Sequence, residues 1–140
     1  MTELTLSEVM KAPLARVYAA WCDMEKLRQW FAPGDMTVPE AVCDLRPGGH
    51  YRIVMEEAGG RRRIVAGQYR EVVPNERLRF SWQWEGSPVV TEVAVHFRAV
   101  DDRHTEITLT HTQFPTSEAR DGHAKGWAGC LLKLRGYLNA

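Results

Sequence analysis

The sequence carries no excess of either charge: 18 Lys and Arg stand against 18 Asp and Glu, a formal net charge of +0. Without a basic field it has nothing to draw nucleic acid or an anionic membrane surface, so neither is expected as its main partner. No apolar run approaches the roughly 18 residues of a membrane span, and no secretory leader is evident, so a soluble cytoplasmic chain is expected. Its three cysteines (Cys22, Cys43 and Cys130) are odd in number and share no redox or metal spacing. There is no H-E-x-x-H or C-x-x-C run, and the histidines are scattered, so no metal and no cofactor are expected. Gly48-Gly49 and Gly59-Gly60 read as hairpin turns and not as a phosphate loop. No motif activates any of the cysteines as a nucleophile, and repeats and low-complexity tracts are absent.

What is present is a patterned globular chain of 140 residues, 44% hydrophobic and 26% charged, with five tryptophans. Residues 3–10 alternate as a first strand. Pro13 suits the first turn of a helix over 12–21, and Asp23 suits the cap of a second short helix, Met24 to Phe31. From Met36 onward the period becomes two. A strand is expected from Val38 to Arg46, another through Tyr51, Ile53 and Met55, and a third from Ile64 to Val73 whose faces divide less clearly. Leu78, Phe80, Trp82 and Trp84 alternate cleanly with polar residues. Two more strands carry Val93, Val95 and Phe97, then Ile107 and Leu109. Finally Ser117 to Ala140 has helical spacing, with His123, Trp127, Cys130, Leu131, Leu134, Tyr137 and Leu138 on a stripe roughly 120° wide. Gly122, Gly126 and Gly129 flank it. Each glycine costs a helix about 1 kcal/mol, which calls for either a close backbone approach or empty volume beside the helix. Short turns between the strands imply an antiparallel meander with one apolar face, and the long helix is the element able to cover it. The expected class is α+β, with residues 1–140 forming one domain.

Four stretches carry a family likeness: A-P-L-A-R-V-Y-A-A-W at 12–21, D-L-R-P-G-G-H-Y-R at 44–52, G-Q-Y-R-E-V-V-P-N-E-R-L-R-F-S-W at 67–82, and G-W-A-G-C-L-L-K-L-R-G-Y-L at 126–138. With the order β-α-α-β₆-α, the chain resembles the helix-grip fold of the START and birch-pollen-allergen superfamily. Within it, the chain is similar to the C-terminal domain of the heat-shock-protein-90 ATPase activator. The resemblance implies a curved antiparallel sheet wrapped around the C-terminal helix, with a cavity between them. It also implies the functions associated with such members: binding small apolar molecules, polyketide cyclisation and sequestration of reactive natural products.

The residues themselves offer a lining for such a cavity. The inferred inner face holds Tyr51, Ile53, Met55, Tyr69, Phe80, Trp82, Trp84 and Phe97, the helix adds His123, Trp127 and Leu131, and Trp21 and Trp30 are expected near the mouth. Aromatic walls with a few polar groups suit an apolar ligand; the same rings could equally fill a core. His111 continues the Ile107 and Leu109 face inward. It is expected either to orient a ligand or act as a base, or to be a core histidine bonded to Tyr69 or a carbonyl. Asp44 and Arg46 share one strand face and are expected to hold the R-P-G-G turn, whereas Arg61-Arg62-Arg63 reads as a solvated hairpin end. Three functions remain open: a module that binds a small apolar or aromatic molecule, a cyclase or aromatase using His111 and a tyrosine, and a protein-interaction domain contacting a chaperone through the outer sheet face.

Overall fold

A computed structural model describes residues 2–139; the helix expected from Ser117 to Ala140 closes at its C-cap Asn139, and Ala140 lies outside the described residues. Seven strands pair antiparallel in the order β1-β7-β6-β5-β4-β3-β2. They are β1 (Thr2–Met10), β2 (Thr37–Cys43), β3 (His50–Glu56), β4 (Arg62–Val73), β5 (Arg77–Trp84), β6 (Thr91–Asp101) and β7 (His104–Phe114). Three helices complete the chain: α1 (Leu14–Cys22), α2 (Met24–Leu27) and α3 (Ser117–Leu138). The order is the helix-grip β-α-α-β₆-α, and the sheet curves around α3.

Several boundaries differ from the sequence expectation, each for a local reason. Pro13 is the N-cap of α1 and not part of its first turn: its ψ of 151° is extended, while its carbonyl accepts from Arg16 N and Val17 N. The second helix stops at Leu27 instead of reaching Phe31. Gln29 N and Trp30 N bond back three residues, tightening the chain so that Trp30 turns under α1 and donates its Nε1–H to the Ala20 carbonyl at 3.1 Å. Strand β2 ends at Cys43 because Asp44 to Gly49 closes into a turn, in which Gly49 N donates to Arg46 O at 2.8 Å. A Cβ on Gly49 would lie 2.0 Å from the Asp44 carbonyl oxygen, so this position admits only glycine.

Two bulges account for uneven alternation. In β4 the register slips between Tyr69 and Glu71, so Tyr69 and Val72 can both turn toward the core. In β7 the slip lies near Gln113, whose φ of 71° re-aims the chain and turns Phe114 inward onto His111, ring centroids 4.3 Å apart. Phe114 is fully buried although simple alternation would point it out.

The core is aromatic. Trp21 sits at its middle, 4.7 Å from Trp30, 6.1 Å from Trp127 and 6.2 Å from Phe97 between ring centroids. Burying each such side chain contributes about 2–3 kcal/mol before the cost of ordering it. Along α3 the buried residues are Trp127, Cys130, Leu131, Leu134 and Leu138, running from its midpoint through its second half. That half is tied down by Lys133, whose Nζ donates to the carbonyls of Ala32 (2.5 Å), Gly34 (3.2 Å) and Met36 (3.0 Å). The outer sheet face is polar, with Arg77, Glu71, Arg79, Glu92 and Arg70 forming a ladder of ion pairs at 3.0 to 4.0 Å. Such exposed pairs each contribute little and keep the face wet. No described helix is long and apolar enough to cross a membrane.

Candidate functional site

The first half of α3 presents small residues toward the sheet, Ala119, Gly122 and Gly126, where the second half presents leucines. With nothing large to fill the gap, a cavity of about 270 Å³ opens between this half of the helix, the ends of β3, β4 and β5, and the 31–36 loop. A Cβ placed on Gly122 or Gly126 would meet nothing within 4 Å. Gly129 differs, since its Cβ would lie 2.9 Å from Pro33 Cβ. Both reasons for helix glycine therefore hold, at different positions: close approach at Gly129 and empty volume at the other two.

The expected site residues divide into three groups. Met55, Trp82, Trp84, His123 and Trp127 stand around this cavity. Trp21, Tyr51, Ile53, Tyr69 and Phe80 instead border a separate void of about 20 Å³, room for little more than a water. Trp30, Phe97, His111 and Leu131 border neither and are packed in the core, at 0–5% exposure. Trp21 and Trp30 are thus not at a mouth: Trp30 is turned under α1, and Trp21 is enclosed by Trp30, Phe97 and Trp127.

Around the cavity the polar groups form two closed relays. In the first, Trp127 Nε1–H donates to His111 Nδ1 at 3.1 Å, so Nδ1 is unprotonated. His111 Nε2–H then donates to Thr91 Oγ1 at 2.6 Å, and the Thr91 hydroxyl donates to the Trp82 carbonyl at 3.3 Å. The expected partners of His111, Tyr69 or a carbonyl, are replaced by Trp127 and Thr91. Burial, with His123 nearby, pushes the His111 pKa down to about 3, and the ring is held neutral. With both nitrogens engaged, no imidazole lone pair is free to take a substrate proton. In the second relay Trp84 Nε1–H donates to His123 Nε2 at 3.0 Å, and His123 Nδ1–H donates to the Ala119 carbonyl at 2.7 Å. Burial lowers the His123 pKa, the Arg63 charge lowers it further, and the carbonyl bond opposes both.

The Tyr51 hydroxyl is equally committed. Tyr51 donates its hydroxyl to the Ser81 carbonyl at 2.6 Å, and burial raises both Tyr51 and Tyr69 well above the usual phenol range. The buried thiol of Cys130 donates to the Phe31 carbonyl at 2.7 Å and is pushed up to about 12 by burial. Asp44 and Arg46 pair with each other at 2.8 Å, exposed, beside their turn.

Further lining residues escaped the sequence reading. Phe31, Pro33 and Met36 come from the loop after α2, and Glu118 and Ala119 from the first turn of α3. Arg63 is exposed, as a solvated hairpin end should be, but its Cζ also lies 4.7 Å from the Trp84 ring centroid, at the cavity edge. The glycine pattern of α3 was the signal that pointed to this place. Neither a loop residue nor an arginine at a strand end has a period to betray it.

Comparison with known proteins agrees with this architecture. The family described as Activator of Hsp90 ATPase homolog 1-like protein matches residues 11–139. Among solved structures, the chain is similar to an AHSA1 protein from Silicibacter pomeroyi, with TM-score 0.89 and 26% identity over 99% of this chain and 98% of that one. A protein from Chromobacterium violaceum shares the fold at TM-score 0.86 and 23% identity, covering 100% and 99% of the two chains. CalU16 from Micromonospora echinospora does so at TM-score 0.71 and 24% identity, covering 97% and 75%. No curated protein matches the chain.

Proposed function

Because this chain belongs to the Activator of Hsp90 ATPase homolog 1-like family, whose fold commonly binds hydrophobic ligands, we propose that it binds a small apolar or aromatic molecule beneath the first half of α3. The observation that carries this reading is the cavity of about 270 Å³ walled by Phe31, Met55, Trp82, Trp84 and Trp127. Ligand sites of this kind gain affinity from buried aromatic area and are oriented by few polar groups. A cyclase using His111 is not favoured, since its nitrogens serve Trp127 and Thr91. The polar ladder on the outer face likewise gives no support to an apolar chaperone contact there.

A panel of one- and two-ring aromatic compounds tests the reading by tryptophan fluorescence and melting temperature. Binding at a hundredfold excess over Kd stabilises by about 2.7 kcal/mol, an easily measured shift. We expect quenching together with a rise in melting temperature for some of the panel, and loss of both in Gly126→Leu, whose side chain would occupy the cavity. A panel that neither quenches nor stabilises, or that acts equally on Gly126→Leu, overturns it.

A further inference from the structure

The unmet hydrogen-bonding demand of the cavity runs in one direction. Trp84 and Trp127 donate their N–H groups to His123 and His111, Cys130 donates its S–H to the Phe31 carbonyl, and His123 has used both ring nitrogens. The Trp82 Nε1–H has no acceptor among the described residues, but it is fully buried and does not open onto the cavity. What remains at the cavity edge is one donor, Arg63. Its neighbour Arg62 pairs with Glu56 at 2.9 Å, but Arg63 turns the other way, onto the face of Trp84. The guanidinium carbon lies over the ring, and none of its N–H groups has a hydrogen-bond or ion-pair partner among the described residues, which leaves them available to a planar carboxylate. Trp84 is itself held through His123 to the Ala119 carbonyl, so the cation sits on a braced platform.

Size narrows the occupant. A dry cavity of roughly 150 Å³ accommodates benzene; one of about 270 Å³ has room for two rings. Resting on the binding function proposed above, we infer that the cavity takes a two-ring aromatic acid, its carboxylate at Arg63 and its rings among Trp82, Trp84 and Trp127. One lining group opposes this: Glu118, an exposed carboxylate in the first turn of α3. It is stabilised there by the helix N-terminus, and it weakens the site for anions without abolishing it.

Isothermal titration with 2-naphthoate and its neutral isostere 2-naphthamide separates the charge from the rings. The naphthoate binds about two- to fivefold tighter than the amide, the range of a solvent-exposed pair with arginine. Arg63→Gln erases that ratio while leaving amide affinity within about twofold, and Glu118→Gln tightens the naphthoate severalfold with no change for the amide. Both positions are exposed, and unchanged melting temperatures confirm that the variants fold. Equal affinities for acid and amide in the unaltered protein, or an Arg63→Gln variant that weakens both alike, overturn the inference while the cavity remains a binding site. If neither compound binds and naphthalene also fails, the binding function falls with it.

Discussion

Replacing the helix glycines one at a time separates empty volume from close approach. Gly122 and Gly126 lie inside α3, with nothing within 4 Å of an added Cβ, and neither has a left-handed φ. Alanine is favoured over glycine in a helix interior by about 0.8–1 kcal/mol. Gly122→Ala and Gly126→Ala are therefore each expected to stabilise by close to 1 kcal/mol, and the double variant by about 2 kcal/mol. With an unfolding entropy of about 2 cal mol⁻¹ K⁻¹ per residue, each raises the melting temperature by about 3 °C and the pair by about 6–7 °C. Gly129→Ala has the same helix propensity to gain, but its Cβ would stand 2.9 Å from Pro33 Cβ, in a loop that Lys133 holds by three carbonyls. Its stability is expected at or below that of the unaltered protein. Urea unfolding and calorimetry on the three single variants and the double provide the measurement. Destabilisation by Gly122→Ala or Gly126→Ala, or a gain at Gly129 equal to theirs, would refute the assignment of volume beside one part of the helix and contact beside another.

Other outcomes follow from the buried polar groups. His111 has its pKa pushed down to about 3 in the folded chain against about 6.5 unfolded, so between those values the unfolded state holds one proton more. This contribution to stability is complete above pH 6.5 and is lost at about 1.4 kcal/mol per pH unit as pH falls toward 3; the slope difference between the unaltered protein and His111→Gln in acid unfolding measures it. Tyr51→Phe strands the Ser81 carbonyl and is expected to cost about 1–2 kcal/mol in urea unfolding, with no change in ligand affinity at the cavity under α3. Lys133→Met removes the three bonds that pin the 32–36 loop and is expected to lose about 1–3 kcal/mol, with faster amide exchange at Gly34 and Met36.

The elements most legible in the sequence were those whose period is strong and uninterrupted. Strand β5 alternates without a break in its sequence, and the stripe of α3 from Trp127 to Leu138 is buried as its spacing requires, save for the half-buried Tyr137. Strand β4 read ambiguously because of the bulge between Tyr69 and Glu71, and Phe114 was invisible because the turn at Gln113 changes which face it joins. The second helix looked longer than it is: Leu27, Trp30 and Phe31 are all buried, as a helix would have them, but on a tightened turn.

The site was harder to read than the fold. Alternation assigns Tyr51, Phe80, Trp82 and Trp84 to one face, yet only the last two reach the cavity, because a void depends on what stands opposite each ring. Opposite Trp82 and Trp84 stand helix glycines; near Tyr51 and Phe80 stand Leu27, Phe31 and Trp21. Side-chain volume across a gap has no signature in the periodicity of either partner. Arg63 illustrates the same limit, since three consecutive arginines differ only in which way each turns.

Central to this account is the location of the ligand, and the five indole N–H signals of a ¹⁵N-labelled sample report on it directly. During titration with a two-ring aromatic compound, the resonances of Trp82, Trp84 and Trp127 are expected to shift together and saturate at one Kd. Trp30, whose N–H is bound to the Ala20 carbonyl in the core, stays still. Shifts confined to Trp21 and Trp30, or no saturable shift at any indole, would contradict a ligand cavity beneath the first half of α3.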